Sequence, residues 1–181
     1  MSNRGRSGDS VLNRSSPAHV DPSTSSPVSQ SIELLTFLFN EVIFGLDILK
    51  VEEIHGYENI YPLLGANKSI NQVVTVRGNK IQMIDLAIKF GLIKNDDHCP
   101  KNIIILNAHE RQFGIAIDGV TEVITTDKSM INMPIQRESA MSCLHYSSGL
   151  IKVDENLLVV LDLEKLITHD DLASVDGLRD E

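Results

Sequence analysis

One eleven-residue stretch occurs twice in this chain, and no other feature limits the fold as much. Phe44-Gly45-Leu46-Asp47-Ile48-Leu49-Lys50-Val51-Glu52-Glu53-Ile54 aligns with Phe113-Gly114-Ile115-Ala116-Ile117-Asp118-Gly119-Val120-Thr121-Glu122-Val123, 69 residues on. Phe, Gly, Ile, Val and Glu recur at five identical offsets. Each copy follows a hydrophobic strand and a polar turn. Each is followed by a hairpin ending in Asp-Leu that opens a short helix, at Asp85-Leu86 and again at Asp162-Leu163. The same order of elements twice implies a duplicated β unit of roughly 60–70 residues. A unit of that size has a thin core, so two of them must share an interface, and the seam is a natural place for a groove.

The dominant hydrophobic period is two, the spacing of side chains on one face of a strand. Leu35, Phe37 and Phe39 alternate with Leu34, Thr36 and Leu38, and Asn40-Glu41 follows as a tight turn. Phe113, Ile115 and Ile117 alternate with Gln112, Gly114 and Ala116, while Ile103 to Leu106 form a continuous apolar run suited to a strand buried on both faces. Gly78-Asn79 is the expected two-residue turn of one hairpin, and Asp154-Glu155-Asn156 the turn of another. Helical spacing is confined to short pieces: Asp85 caps Leu86–Phe90 with Gly91 as the stop, and Asp162 caps Leu163–Thr168. Short strands without long crossover helices point to an all-β chain of two small antiparallel barrels.

The two ends differ from this body. Residues 1–31 hold ten Ser and three Pro, too little apolar surface to offset the entropy of ordering, so a disordered tail is expected there. Residues 171–181 form an expected acidic tail. The folded body is then 32–170, with a first barrel at about 40–92, a second at about 102–160 and a closing helix at 162–168. Sixteen Lys and Arg against 25 Asp and Glu give a net charge of −9, which argues against a general nucleic-acid binder. The N-terminus lacks the apolar core of a signal peptide, and no stretch is long and apolar enough to span a bilayer as a helix. Cys99 and Cys143 lack metal-ligand or redox spacing, and reduced thiols in a cytoplasmic protein are expected.

No catalytic signature is present: there is no nucleophile elbow, no P-loop, no HExxH and no kinase lysine context. The scattered histidines and His98 beside Cys99 form no ligand set, so no metal or cofactor is expected. A Cys–His nucleophile using Cys143 is the one enzymatic alternative, and it has no local support. Glu52 and Glu53, adjacent in an extended segment, point to opposite faces and cannot act as a carboxylate pair. Arg77, at a strand tip, reads either as a solvated turn cation or as an anchor whose guanidinium fork meets an acidic partner.

Taken together, these segments resemble the CheW-like domain family of chemotaxis coupling proteins. The stretch Phe44–Tyr57 is similar to the family's first signature. Val76-Arg77-Gly78 with Met83-Ile84-Asp85-Leu86 is similar to its second, Ile117–Val123 to its third, and Leu158–Ile167 to its closing strand and helix. The likeness runs in order from about Ile32 to about Thr168. Departures are Thr75-Val76 for the usual Asn-Leu before Arg-Gly, Met83 for a Pro, Gln72 for a Gly and His55 for an Arg.

The resemblance implies two five-stranded SH3-like barrels sharing a hydrophobic seam. It implies a non-catalytic cytoplasmic adaptor, recruited to receptor arrays, that couples the tips of methyl-accepting chemotaxis receptors to the regulatory domain of the histidine kinase CheA. Contact with the membrane would be only indirect, through receptors. Carried over by motif, Val51, Glu53 and Arg77 fall at receptor contacts, and Gly114 and Gly149 match glycines that shape the groove from the second barrel. The kinase-contacting residues are unknown at this level. The alternative is a structural array component, or a paralogue in a non-motility sensory pathway without receptor coupling. An appended receiver domain is not expected in 181 residues.

Overall fold

Leu34 and Leu35, neighbours in sequence, are both buried, yet they belong to different cores, and the whole architecture follows from that. The computed structural model describes residues 30–64, 68–92, 99–133 and 142–176. The first half runs through β1 (Ser31–Phe39), β2 (Val42–Asp47), β3 (Val51–Gly56), β4 (Ile60–Pro62), β5 (Ile70–Val76), β6 (Asn79–Ile84) and α1 (Leu86–Lys89). The second runs through β7 (Asn102–Ala108), β8 (Arg111–Ile117), β9 (Gly119–Asp127), β10 (Ser147–Val153), β11 (Asn156–Leu161), α2 (Leu163–Leu166) and α3 (His169–Asp176).

These strands form two sheets, in the orders β10-β11-β2-β1-β9 and β3-β7-β8-β6-β5-β4. On one side each sheet encloses a small core of its own. Leu34, Ile151, Leu158 and Val160 fill that of the five-stranded sheet, and Val74, Val76, Ile81, Met83, Ile103 and Ile105 that of the six-stranded one. On the other side the sheets share the largest core, built on Phe37, Phe44, Phe90, Ile104, Leu106, Phe113 and Ile115. The run Ile103–Leu106 is apolar throughout because its residues alternate between a private core and the shared one.

The two barrels are not the contiguous pieces 40–92 and 102–160 that the repeat suggests. After β2 the chain makes only the 3₁₀ turn Ile48–Lys50 before entering the other sheet as β3, and after β8 only Asp118 separates it from β9. Both copies of the motif are therefore crossings between sheets. The consequence is an exchange: β1 pairs with β9, β2 runs parallel to β11, β3 pairs with β7, and β6 runs parallel to β8. The second crossing is pinned where Asp118 N–H donates to Leu38 O (3.0 Å) and Asp118 Oδ2 accepts from Asn40 N–H (2.8 Å).

Two local expectations change. In the β5–β6 hairpin Val76 pairs with Asn79, so the turn residues are Arg77-Gly78 rather than Gly78-Asn79. Register decides this, because moving the turn by one residue would swing Ile81 and Met83 out of their core. At the C-terminus, residues 171–176 are helical rather than tail. The side chain of Asp171 accepts from both Thr168 N–H and the Thr168 hydroxyl, closing the first turn of α3. The remaining residues of the expected acidic tail, and residues 1–29 of the expected N-terminal one, lie outside the described residues, whereas Ser31 already belongs to β1.

Candidate functional site

The motif Val51-Glu52-Glu53 opens β3 over an irregular register: Val51 pairs with Leu106 but Glu53 with Ile105, so the step from 51 to 53 is matched by one residue on β7. This is a β-bulge, which re-aims the side chains on either side of it. Val51 is half-buried and packs against the shared core, and its N–H closes the preceding turn on Ile48 O. Glu52 takes Asn107 Nδ2 on one oxygen (2.8 Å) and Gln112 Nε2 on the other. Glu53 turns elsewhere. Its Oε2 lies 3.0 Å from Arg77 Nη2 and 3.1 Å from His55 Nε2. The two neighbouring carboxylates are thus committed to different partners.

Arg77 sits in an unusual backbone state. It is the first residue of a two-residue turn with φ of +49°, followed by Gly78 at +82°. Type I′ turns favour Asn, Asp or Gly at that position, since a β-carbon there costs about 1–2 kcal/mol. The side chain is 79% exposed, so the shared pair with Glu53 orients the guanidinium without burying it. Arg77 is thus a charged side chain in a strained turn, oriented by Glu53 and open to solvent.

Around the end of β2 the structure opens a hollow lined by both apolar and charged side chains. A cavity of about 420 Å³ is lined by Ile32, Leu34, Leu46, Lys50, Ile131 and Leu163 among others. A second, of about 330 Å³, shares Ile32, Asp47 and Lys128 with it and adds Ile48 and Leu49. Leu49 is 86% exposed and only two residues before Val51. Hollow, Leu49, Val51 and Glu53 therefore follow one another along the chain from β2 into β3. Leu49, Lys128 and Ile131 line these cavities and were not singled out in the sequence.

The two glycines of the expected site play a different part, because both are buried. A β-carbon on Gly114 would meet Met83 Cγ at 3.3 Å and Ile103 Cγ2 at 3.4 Å, inside the six-stranded sheet's own core. Gly114 therefore lies in the same sheet as Glu53 and Arg77, not across the seam from them. The repeat places Gly45 in the matching position of the other sheet, against Leu158 and Leu34. Gly149, at φ of +150°, stands where a β-carbon would lie 2.7 Å from Ile131 Cγ2 and 2.8 Å from Asn132 O. Its bare backbone lets Asn132 pair with Leu150 through two hydrogen bonds (2.9 and 2.8 Å), and that pairing sets Ile131 in the wall of the hollow.

Chemistry of the catalytic kind has little to work with. Cys143 is buried and burial pushes its thiol up, the reverse of what an attacking thiolate needs. Cys99 is exposed, and His98 lies outside the described residues. Among the described residues no group of His, Cys, Asp and Glu is placed to hold a metal, and no helix is long and apolar enough to cross a membrane.

The comparisons with known proteins agree with this arrangement. The CheW-like domain matches residues 33–171. The chain is similar to a chemotaxis protein CheW of Klebsiella aerogenes, 32% identical over 148 residues that make up 81% of this chain and 87% of that one. It is also similar to a chemotaxis protein CheW of Treponema pallidum, 26% identical over 153 residues, covering 82% of this chain and 89% of that one. Among solved structures it is similar to the scaffolding protein TtCheW from Thermoanaerobacter tengcongensis, with a TM-score of 0.68 and 25% identity over 78% of this chain and 91% of that one. Two exchanged sheets, a doubled motif at both crossings and a match over nearly the whole folded body lead to one conclusion: the chain belongs to the CheW-like domain family.

Proposed function

We propose that this protein is a non-catalytic chemotaxis adaptor that couples the cytoplasmic tips of chemoreceptors to the regulatory domain of the histidine kinase CheA. The reading is supported by the names of the relatives, chemotaxis and scaffolding proteins. It is carried by one structural observation, the solvent-exposed Arg77 guanidinium held 3.0 Å from the Glu53 carboxylate. A receptor tip is a helical hairpin, and an amphipathic helix is held by an apolar groove that takes its anchor side chains, with charged groups at the rim fixing register. In this reading Val51 and Leu49 supply apolar contact, and Glu53 and Arg77 supply the rim. Gly149 shapes the wall, and Gly114 makes room for Met83 and Ile103 in the core of the sheet that carries Glu53. The protein works inside the cell and meets the membrane only through receptors.

The test is sedimentation of the purified chain with receptor cytoplasmic fragments and with the kinase, separately and together. Binding to each, and retention of the kinase on receptors only when the chain is added, is the expected result. Absence of binding to both removes the proposal. Binding to the kinase with none to receptors would convert it into the structural array component.

A further inference from the structure

The last helix is attached by a charge that takes no part in the coupling surface. Asp171 is 1% exposed, and the Lys89 side chain with which it forms an ion pair is 7% exposed. The same carboxylate accepts hydrogen bonds from Ser69 Oγ (2.8 Å), Thr168 N (2.8 Å) and Thr168 Oγ1 (2.7 Å). Lys89 Nζ lies 5.8 Å from the centre of the Tyr146 ring, the cation–π range. Lys89 ends α1 and Ser69 leads into β5, both attached to the six-stranded sheet; α3 follows α2 and β11, the other sheet. One buried carboxylate thus ties the end of the second half to the first.

Leu172 packs against the shared core, while His169, Asp170 and Ala173 are exposed. The helix has eight residues, too short to persist in water once detached. A buried ion pair also fails abruptly, since loss of either partner leaves an uncompensated charge that must reach water. We propose that α3 is a strap across the seam, latched by Asp171, that opens as one unit while both sheets stay folded. This does not depend on receptor or kinase binding.

The test is native-state hydrogen exchange of the full chain across low urea concentrations. In the wild type, the α3 amides are expected to exchange through an opening with little urea dependence. Those of β7 and β8 should exchange through global unfolding, in the hierarchy of local and global openings that exchange resolves. In Asp171→Asn and in Lys89→Met, protection of α3 is expected to fall by about a hundredfold and that of β7 and β8 by no more than the same factor, with the α3 opening keeping its small urea dependence, because the lost latch is absent from both the open and the unfolded state. Exchange of α3 together with β7 and β8 in the wild type would overturn the proposal, and this arm needs no variant to fold. So would unchanged α3 protection in both variants.

Discussion

Arg77 Nη2 and Glu53 Oε2 stand 3.0 Å apart, joining the tip of the β5–β6 hairpin to the edge strand β3 across a gap that no hydrogen-bond ladder closes. With the Arg77 side chain 79% exposed, the pair adds little to stability; exposed pairs contribute about 0–1 kcal/mol. Arg77→Glu is therefore expected to leave the urea midpoint nearly unchanged while weakening receptor-fragment binding more than tenfold. Equilibrium unfolding and a binding isotherm on the same preparation separate the two effects. A midpoint that collapses along with binding would make Arg77 a structural residue instead.

Gly149→Ala places a β-carbon against backbone atoms that cannot yield. It should cost about 3 kcal/mol, the range of strained backbone positions and overpacked sites. Gly114→Ala meets side chains instead, at 3.3 Å or more, and should cost nearer 1 kcal/mol, as should Gly45→Ala in the matching place. Urea denaturation of the three variants gives the order, and an equal cost at all three would contradict the geometry.

Phe44 tests the seam. Its ring stacks on Phe37 at 5.7 Å between centroids and on Phe90 at 5.4 Å, linking β1, β2 and the end of α1. Phe44→Ala should lose about 3–5 kcal/mol. The loss should appear as one cooperative transition with an undivided baseline, because each sheet contains strands from both halves. Two separated transitions in the thermal scan would show that the sheets fold independently.

Cys143 predicts an alkaline weakness. Burial raises its thiol pKa in the folded state, so the folded protein holds that proton more tightly than the unfolded chain does. The resulting stability is fully present below the unfolded thiol value, about 8.5, and is lost as pH rises through the folded one. Stability should therefore fall as pH rises above about 8.5, and Cys143→Ala should flatten that fall. Iodoacetamide at neutral pH should label the exposed Cys99 at once and Cys143 only after unfolding.

Much of this was legible in the residues. Period-two alternation located the strands, and Asp85 and Asp162 announced the helices they cap. The strand exchange was not legible. Alternation says which face of a strand is apolar but not which strand lies beside it, and the crossings at Ile48–Lys50 and Asp118 are too short to stand out as linkers. The turn at Arg77-Gly78 depended on which residues the six-stranded sheet buries. The divergence of Glu52 from Glu53 was expected, but its cause, a bulge opposite Leu106 and Ile105, is a property of pairing. Gly114 and Gly149 look alike in a motif. Only their surroundings separate a glycine that makes room in a core from one that admits a neighbouring backbone. Asp171 carried no signal beyond its acidity, because the lysine that pairs with it is 82 residues away.

The central claim is coupling, and reconstitution tests it most directly. Receptor signalling domains on vesicles, the kinase and this chain are combined, and kinase autophosphorylation is measured with the wild type, with Arg77→Glu and with the chain omitted. The account predicts receptor-dependent stimulation with the wild type, none without the chain and strongly reduced stimulation with Arg77→Glu. Kinase activity that responds to receptors equally well in all three mixtures would contradict it.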